Sequence, residues 1–173
     1  MVMKKIIAII CLLYLLDGCS SNDFMRNGRY VGHYKVGKPY KINKATYIPK
    51  EVDHYHQVGM ASWYGDGFHG NKTANGERFN KHSLTAAHPT LPMPSIVRVT
   101  NLRNNKSVVV RVNDRGPFGP FLGRAKNRII DLSEKAAEIL GIKRMGVERV
   151  SVQLLPKATA ELHRSLKISR VKY

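Results

Sequence analysis

The chain is poor in cysteine, tryptophan and acid. Two cysteines, Cys11 and Cys19, occur in 173 residues, both near the N-terminus. Beyond Cys19 the chain therefore holds neither a disulfide framework nor a cysteine-based zinc site. There are 12 Asp and Glu against 29 Lys and Arg, a formal net charge of +17. Such a chain is drawn to polyanions: nucleic acid, anionic lipid or an acidic cell-wall polymer. Also missing are a Gly-x-Ser-x-Gly nucleophile turn, a phosphate loop and a dinucleotide fingerprint. His54, His56, His69 and His82 have no recognised metal spacing. The sequence thus calls for no metal and no cofactor. The longest apolar stretch, Ile6 to Leu16, is too short to cross a bilayer comfortably as a helix.

That stretch comes after Lys4 and Lys5, the order of a secretory signal. Leu16-Asp17-Gly18-Cys19 then resembles a bacterial lipobox. Residues 1–18 are expected to be a lipoprotein signal peptide, and Cys19 the lipid attachment site. Several acyl chains there hold a protein on a membrane, where one does not. The alternative is an ordinary signal with a chance cysteine. Export argues against nucleic acid as partner and leaves lipid headgroups or cell-wall glycan. Ser20 stands where an aspartate often retains lipoproteins at the inner membrane, so a periplasm-facing outer-membrane location is favoured.

Residues 19–58 read as a tether rich in Lys, Tyr and Pro, without a core of its own. Residues 59–155 read as one domain. "GMASWYG" is a short strand, and Asn75-Gly76 marks a turn. "SIVRVTN" and "SVVVRVND" alternate as the two arms of a hairpin. "RIIDL" is another strand. "SEKAAEILG" is a helix of about two turns, capped by Ser133 and stopped at Gly141. "VERVSVQLL" alternates as a closing strand. Short strands with so little helix suggest a small closed barrel. Residues 156–173 read as a basic tail, a helix or a disordered segment, with a solvated tail favoured, carrying Lys157, Arg164, Lys167, Arg170 and Lys172.

Asp114 raises the functional question. Along an extended strand it shares a face with Val108, Val110 and Val112. A carboxyl on an apolar row titrates high, as a general acid requires. Arg115 argues the other way, because a near cation favours the ionised form. Strand alternation alone leaves two readings open: a carboxylate that shapes the "DRGPFG" turn, or an acid. Glu77 and His88 are further polar candidates. Trp63, Tyr64, Phe68, Phe79, Phe118 and Phe121 are aromatics near glycines, suited either to a core or to stacking on sugar rings.

Taken together, "ASWYGDGFHGNKTANGERFN", "LTAAHPTLP", "VRVTNL", "VVVRVNDRGPF" and "RIIDLSEKAAEILG" resemble the RlpA family, the rare lipoprotein A proteins. The resemblance implies a mainly β fold, a six-stranded double-psi β-barrel with one or two short helices. It implies a lytic transglycosylase that cuts the glycan strands of peptidoglycan and leaves 1,6-anhydro-muramic ends. It implies Asp114, Glu77 and His88 as the catalytic set, with Asp114 as both acid and base. Trp63, Tyr64, Phe118 and Asn75 would meet the substrate. The expected partners are peptidoglycan and, through Cys19, a membrane; a monomer is expected. Many members carry a C-terminal SPOR glycan-binding domain, and none is expected here. Two other readings use the same residues: a glycan-binding module without catalysis, and a basic structural link between membrane and wall.

Overall fold

A computed structural model describes residues 25–26, 29–30, 32–42, 44–118 and 127–166. Cys19, the signal segment, Phe121 and the end of the basic tail lie outside the described residues.

The alternating segments form the walls of a closed barrel. β7 (Ser95–Asn101) buries Val97 and Val99 and turns Arg98 outward. β8 (Ser107–Asp114) buries Val108, Val110 and Val112 and leaves Val109 exposed. The two pair antiparallel from Ser95↔Val112 to Thr100↔Ser107. Before β7 in the chain come β1 (Met25–Arg26), β2 (Arg29–Tyr30), β3 (Tyr40–Ile42), β4 (Ala45–Tyr47), β5 (His56–Tyr64) and β6 (Thr85–Ala87). β9 (Arg128–Ser133) and β10 (Glu148–Leu154) complete the set. The barrel closes in the order β10-β5-β9-β6-β8-β7, with β7 returning to β10. β5 with β9 and β6 with β8 are parallel; the remaining pairs are antiparallel. Closure leaves no edge for intermolecular pairing.

The interior is aliphatic. Val97, Val99, Val112, Ile130, Leu132, Val150 and Val152 are fully buried. α1 (Glu134–Leu140) packs Ala136, Ala137 and Leu140 against this cluster. Ser133 Oγ accepts from Ala136 N–H at its start, and Gly141 ends it with φ of 71°, a value glycine tolerates.

Four segments depart from the sequence reading. β6 has three residues and no usable period, yet it pairs on both edges, with β8 and with β9. β5 begins at His56, ahead of Gly59, because His56 and Gln57 pair with Gln153 and Val152. From residue 32 on, the expected tether lies on the barrel. Lys35 and Met93 exchange backbone hydrogen bonds of 2.8 and 2.9 Å, and Val52 and Tyr55 pack on the core. β3 and β4 form a hairpin whose Tyr40 hydroxyl donates to the Pro89 carbonyl. The expected solvated tail is, over its first ten residues, the helix α2 (Pro156–Ser165). Thr159 Oγ1 accepts from Ile96 N–H at 2.9 Å, and His163 Nε2 meets the Pro94 carbonyl at 2.8 Å. Both side chains are buried, while Lys157 and Arg164 stay exposed. Basic composition concealed the face that docks.

Leu132→Ala removes a fully buried side chain and is expected to lower the unfolding free energy by about 3 kcal/mol. Val109→Ala, at a position 42% exposed, stays within about 0.5 kcal/mol of the parent. Urea midpoints of the two variants check the difference.

Candidate active site

Asp114 ends β8 where the regular register fails. β6 pairs Ala86 with Val112 but Ala87 with Asp114, so Asn113 is an extra residue and strict alternation stops at Val112. The carboxylate meets the turn that carries Glu77. Its Oδ1 accepts from Ala74 N–H and from Arg115 N–H, both at 2.8 Å. Oδ2 has no donor among the described residues. Burial raises the Asp114 carboxyl above its ordinary range, more than the two backbone bonds, Arg115 and Lys35 lower it.

Arg115 lies beside Asp114 in sequence but sends its guanidinium elsewhere. Its Nη1 donates to the carbonyls of His88 (3.1 Å) and Leu91 (2.6 Å), and its Nη2 to that of Val36 (2.6 Å). The cation is spent on backbone, so Asp114 keeps a raised proton affinity despite its neighbour.

Glu77 has the opposite environment. The turn Thr73–Glu77 is closed by Gly76 N–H to the Thr73 carbonyl at 2.9 Å, with Gly76 at φ of 90°. Asn75, expected to meet substrate, is wholly buried. Its Oδ1 accepts from Thr73 Oγ1, and its Nδ2 donates to Glu77 Oε1 at 2.9 Å. Glu77 Oε2 receives Arg111 Nη2 at 2.7 Å and Asn113 Nδ2 at 3.0 Å. Burial pushes the Glu77 carboxyl up, but the Arg111 charge and the bonds from Arg111, Asn75 and Asn113 outweigh it and hold the group ionised.

His88 comes directly after β6 and joins Asp114 through the backbone, His88 N–H to the Asp114 carbonyl at 3.0 Å. Its ring turns inward. Nδ1 accepts from Thr90 N–H (3.2 Å) and Leu91 N–H (3.0 Å), so Nε2 carries the proton and meets the Tyr55 hydroxyl at 2.8 Å. Burial, with help from Arg115, drives its pKa down to about 3. Both nitrogens are engaged, which makes His88 a neutral brace for the strand end.

The aromatic candidates divide. Trp63 is partly buried and packs against the core. Phe118 packs edge-on to Tyr40 and Tyr47 of the β3–β4 hairpin, at centroid distances of 5.8 and 5.5 Å. Tyr64 stacks on Phe79 at 4.2 Å, and its buried hydroxyl has no hydrogen-bond partner among the described residues. Burial, then the charges of Asp114, Asp131 and Glu77, raise the Tyr64 hydroxyl well above its usual value, so it remains a protonated donor. Three carboxyl groups thus surround one neutral hydroxyl. A hollow lined by Tyr34, Asp53, Pro92, Leu154 and His163 lies elsewhere, beside α2, and none of these candidates borders it.

Comparison with known proteins matches residues 56–152 to a family described as "Lytic transglycolase". Proteins named "Endolytic peptidoglycan transglycosylase RlpA" are similar along most of the chain. The protein of Rickettsia felis is 47% identical over 96% of this chain and 79% of its own length. That of Rickettsia typhi is 52% identical over 87% of this chain and 46% of its own length.

The chain belongs to the RlpA family.

Among solved structures, the Streptomyces papain inhibitor covers 58% of this chain and 94% of its own, at 23% identity and a TM-score of 0.46. The six-stranded closed barrel is the double-psi type expected for an RlpA-family chain. Its polar cluster gathers at the ends of β5, β8 and β9 and in the turn before β6. The sequence reading missed Asp131. The available signal was the one that singled out Asp114, a carboxylate inside an otherwise apolar strand.

Two measurements test this RlpA-family cluster. Glu77→Gln leaves Arg111 charged without its buried anion and is expected to cost about 3 kcal/mol of stability. The second measurement concerns His88. It titrates near 6.5 when unfolded and near 3 when folded. Between these values the unfolded chain binds one more proton, so stability falls as pH drops, by at most ~1.4 kcal/mol per pH unit. Glu77, lowered by folding, adds a loss in the same direction below its unfolded value. Urea midpoints should decline from pH 6.5 to 4, and His88→Gln should flatten that decline.

Proposed function

We propose that this chain is an endolytic peptidoglycan transglycosylase, cutting the β-1,4 bond between N-acetylmuramic acid and N-acetylglucosamine in cell-wall remodelling or cell separation. Family membership supports the reaction class. The observation that carries the assignment of the acid is the state of Asp114. One oxygen is fixed by two backbone donors, the other is open, and burial favours its protonated form. A carboxyl raised in this direction suits a general acid.

Asp114 gives its proton to the bridging oxygen as the bond to the muramic anomeric carbon breaks. Positive charge develops on that carbon. The muramic C6 hydroxyl of the same sugar closes on it and gives up its proton to a carboxylate, so the nucleophile is supplied within the substrate and no water is consumed. Glu77 acts through position: it locks the turn whose Ala74 N–H holds Asp114. His88 braces the neighbouring strand end. The Tyr64 hydroxyl is enclosed and stays neutral beside the carboxyl groups, and Phe118 offers a flank.

The protein then belongs in the cell envelope, facing the wall, held to a membrane by acyl chains on Cys19, with the outer membrane favoured. No helix among the described residues is long and apolar enough to cross a membrane. The excess of Lys and Arg suits anionic wall polymer and lipid headgroups.

Purified domain incubated with sacculi is expected to release products ending in 1,6-anhydro-muramic acid, seen by mass spectrometry. Asp114→Asn should lower that release at least 100-fold while sacculus binding and the urea midpoint persist. Undiminished anhydro product from the variant would refute the assignment. Binding without any product from the parent would make the chain a glycan-binding module instead.

A further inference from the structure

We propose that Asp131 is a second reacting carboxylate: it takes the proton of the muramic C6 hydroxyl while Asp114 protonates the departing bridge oxygen. This rests on the transglycosylase reading and revises the view that one aspartate performs both transfers.

Strand register brings the two aspartates together. Ala87 on β6 pairs with Asp114 on one side and with Asp131 on the other. Two strand spacings of about 4.8 Å put their Cα atoms roughly 10 Å apart. Carboxyl groups roughly 6.5–9.5 Å apart leave room for a nucleophile in inverting glycosidases, and two aspartates carried at this backbone spacing can reach such a separation. Each aspartate is raised by its own burial, and neither is a cause of the other's shift.

Asp131 is held like a positioned base. Its Oδ1 accepts from the Ser62 hydroxyl and faces Arg128 Nη1 at 3.5 Å; Arg128 in turn donates to Ser62 Oγ at 2.7 Å. Its Oδ2 has no donor among the described residues. That oxygen lies 3.8 Å from where a Cβ on Gly116 would stand. Gly116, at φ of 146°, therefore leaves Asp131 bare toward the loop that carries the acid. Among the described residues the ionisable groups facing Asp131 are Arg128 on β9 and Tyr64 on β5. β6 brings Ala87, and the loop after β8 brings Gly116 with Asp114 beyond it.

Elimination points the same way. Glu77 has both oxygens bound to donors, and His88 has both nitrogens engaged. Residues 119–126, outside the described set, contain no Asp or Glu. Asp131 is the remaining carboxylate of the cluster with an open oxygen.

The step balances. Asp114 starts as the acid and Asp131 as the carboxylate. The C1–O bond to the N-acetylglucosamine oxygen breaks, and that oxygen takes the Asp114 proton. The C6 oxygen bonds to C1 and yields its proton to Asp131. Solvent exchange resets both groups, with no net proton released.

The test is the rate of 1,6-anhydro product release from purified sacculi, from pH 4 to 9. The proteins compared are the parent, Asp131→Asn and Ser62→Ala. Asp131→Asn is expected to lose at least 100-fold at neutral pH and to lose the acidic limb of the profile, with sacculus binding kept. Ser62→Ala removes a bond that favours the ionised carboxylate, so its acidic limb should move to higher pH. A rate for Asp131→Asn within threefold of the parent, with the same limb, overturns the proposal and leaves the transglycosylase reading standing. Should Asp131→Asn not fold, an unshifted limb in Ser62→Ala overturns it. A parent that binds sacculi and releases nothing removes the transglycosylase reading itself, and this inference with it.

Discussion

The polar cluster depends on a strand of three residues. β6 is the one place where β8 and β9 share a neighbour, and it hydrogen-bonds to both. Ala87 lies opposite Asp114 and Asp131, and His88 comes next to bind the Asp114 carbonyl. The strand is wholly buried, so water does not compete for these bonds. Barrel closure fixes the spacing of the outer strands, and β6 fixes which of their residues meet.

Within that frame the same functional group is given different states by its surroundings. Glu77 sits among Arg111, Asn75 and Asn113 and stays ionised. Asp114 and Asp131 receive fewer donors than their burial demands, and each carboxyl titrates above its ordinary range. The distinction is electrostatic, since all three are carboxylates at least half-buried. Arg115 shows the same economy from the other side. Three backbone carbonyls satisfy its charge, so a cation one residue from Asp114 does not outweigh the effect of burial on that carboxyl.

Much of the barrel was legible in period-2 patterns: Val97 and Val99 on β7, Val108 to Val112 on β8, Val150 to Leu154 on β10. The helix was legible in its caps, Ser133 and Gly141. β6 was not, because three residues carry no period and its strand character comes from partners distant in sequence. The alternation argument placed Asp114 on the row of Val108, Val110 and Val112, yet the extra residue at Asn113 breaks the pattern just before it. Asn75 looked like a turn residue open to substrate; its burial arises from Glu77 and Thr73, which no local pattern reveals. Thr159 and His163 are four apart on one face of α2, a spacing hidden among Lys and Arg. Asp131 was passed over because its strand was read for packing alone.

The clamp on Val36 has a mechanical side. Moving downstream from residue 32, the chain first touches the barrel at His33, whose N–H donates to the Asn75 carbonyl at 2.8 Å. It next pairs Lys35 with Met93, and then offers the Val36 carbonyl to Arg115. The first and last of these bonds fall on the Glu77 turn and on the residue after Asp114. Tension arriving along the chain at residue 32 would pass through these bonds to the Glu77 turn and the end of β8. A pull there would strain the polar cluster through contacts distant from it in sequence.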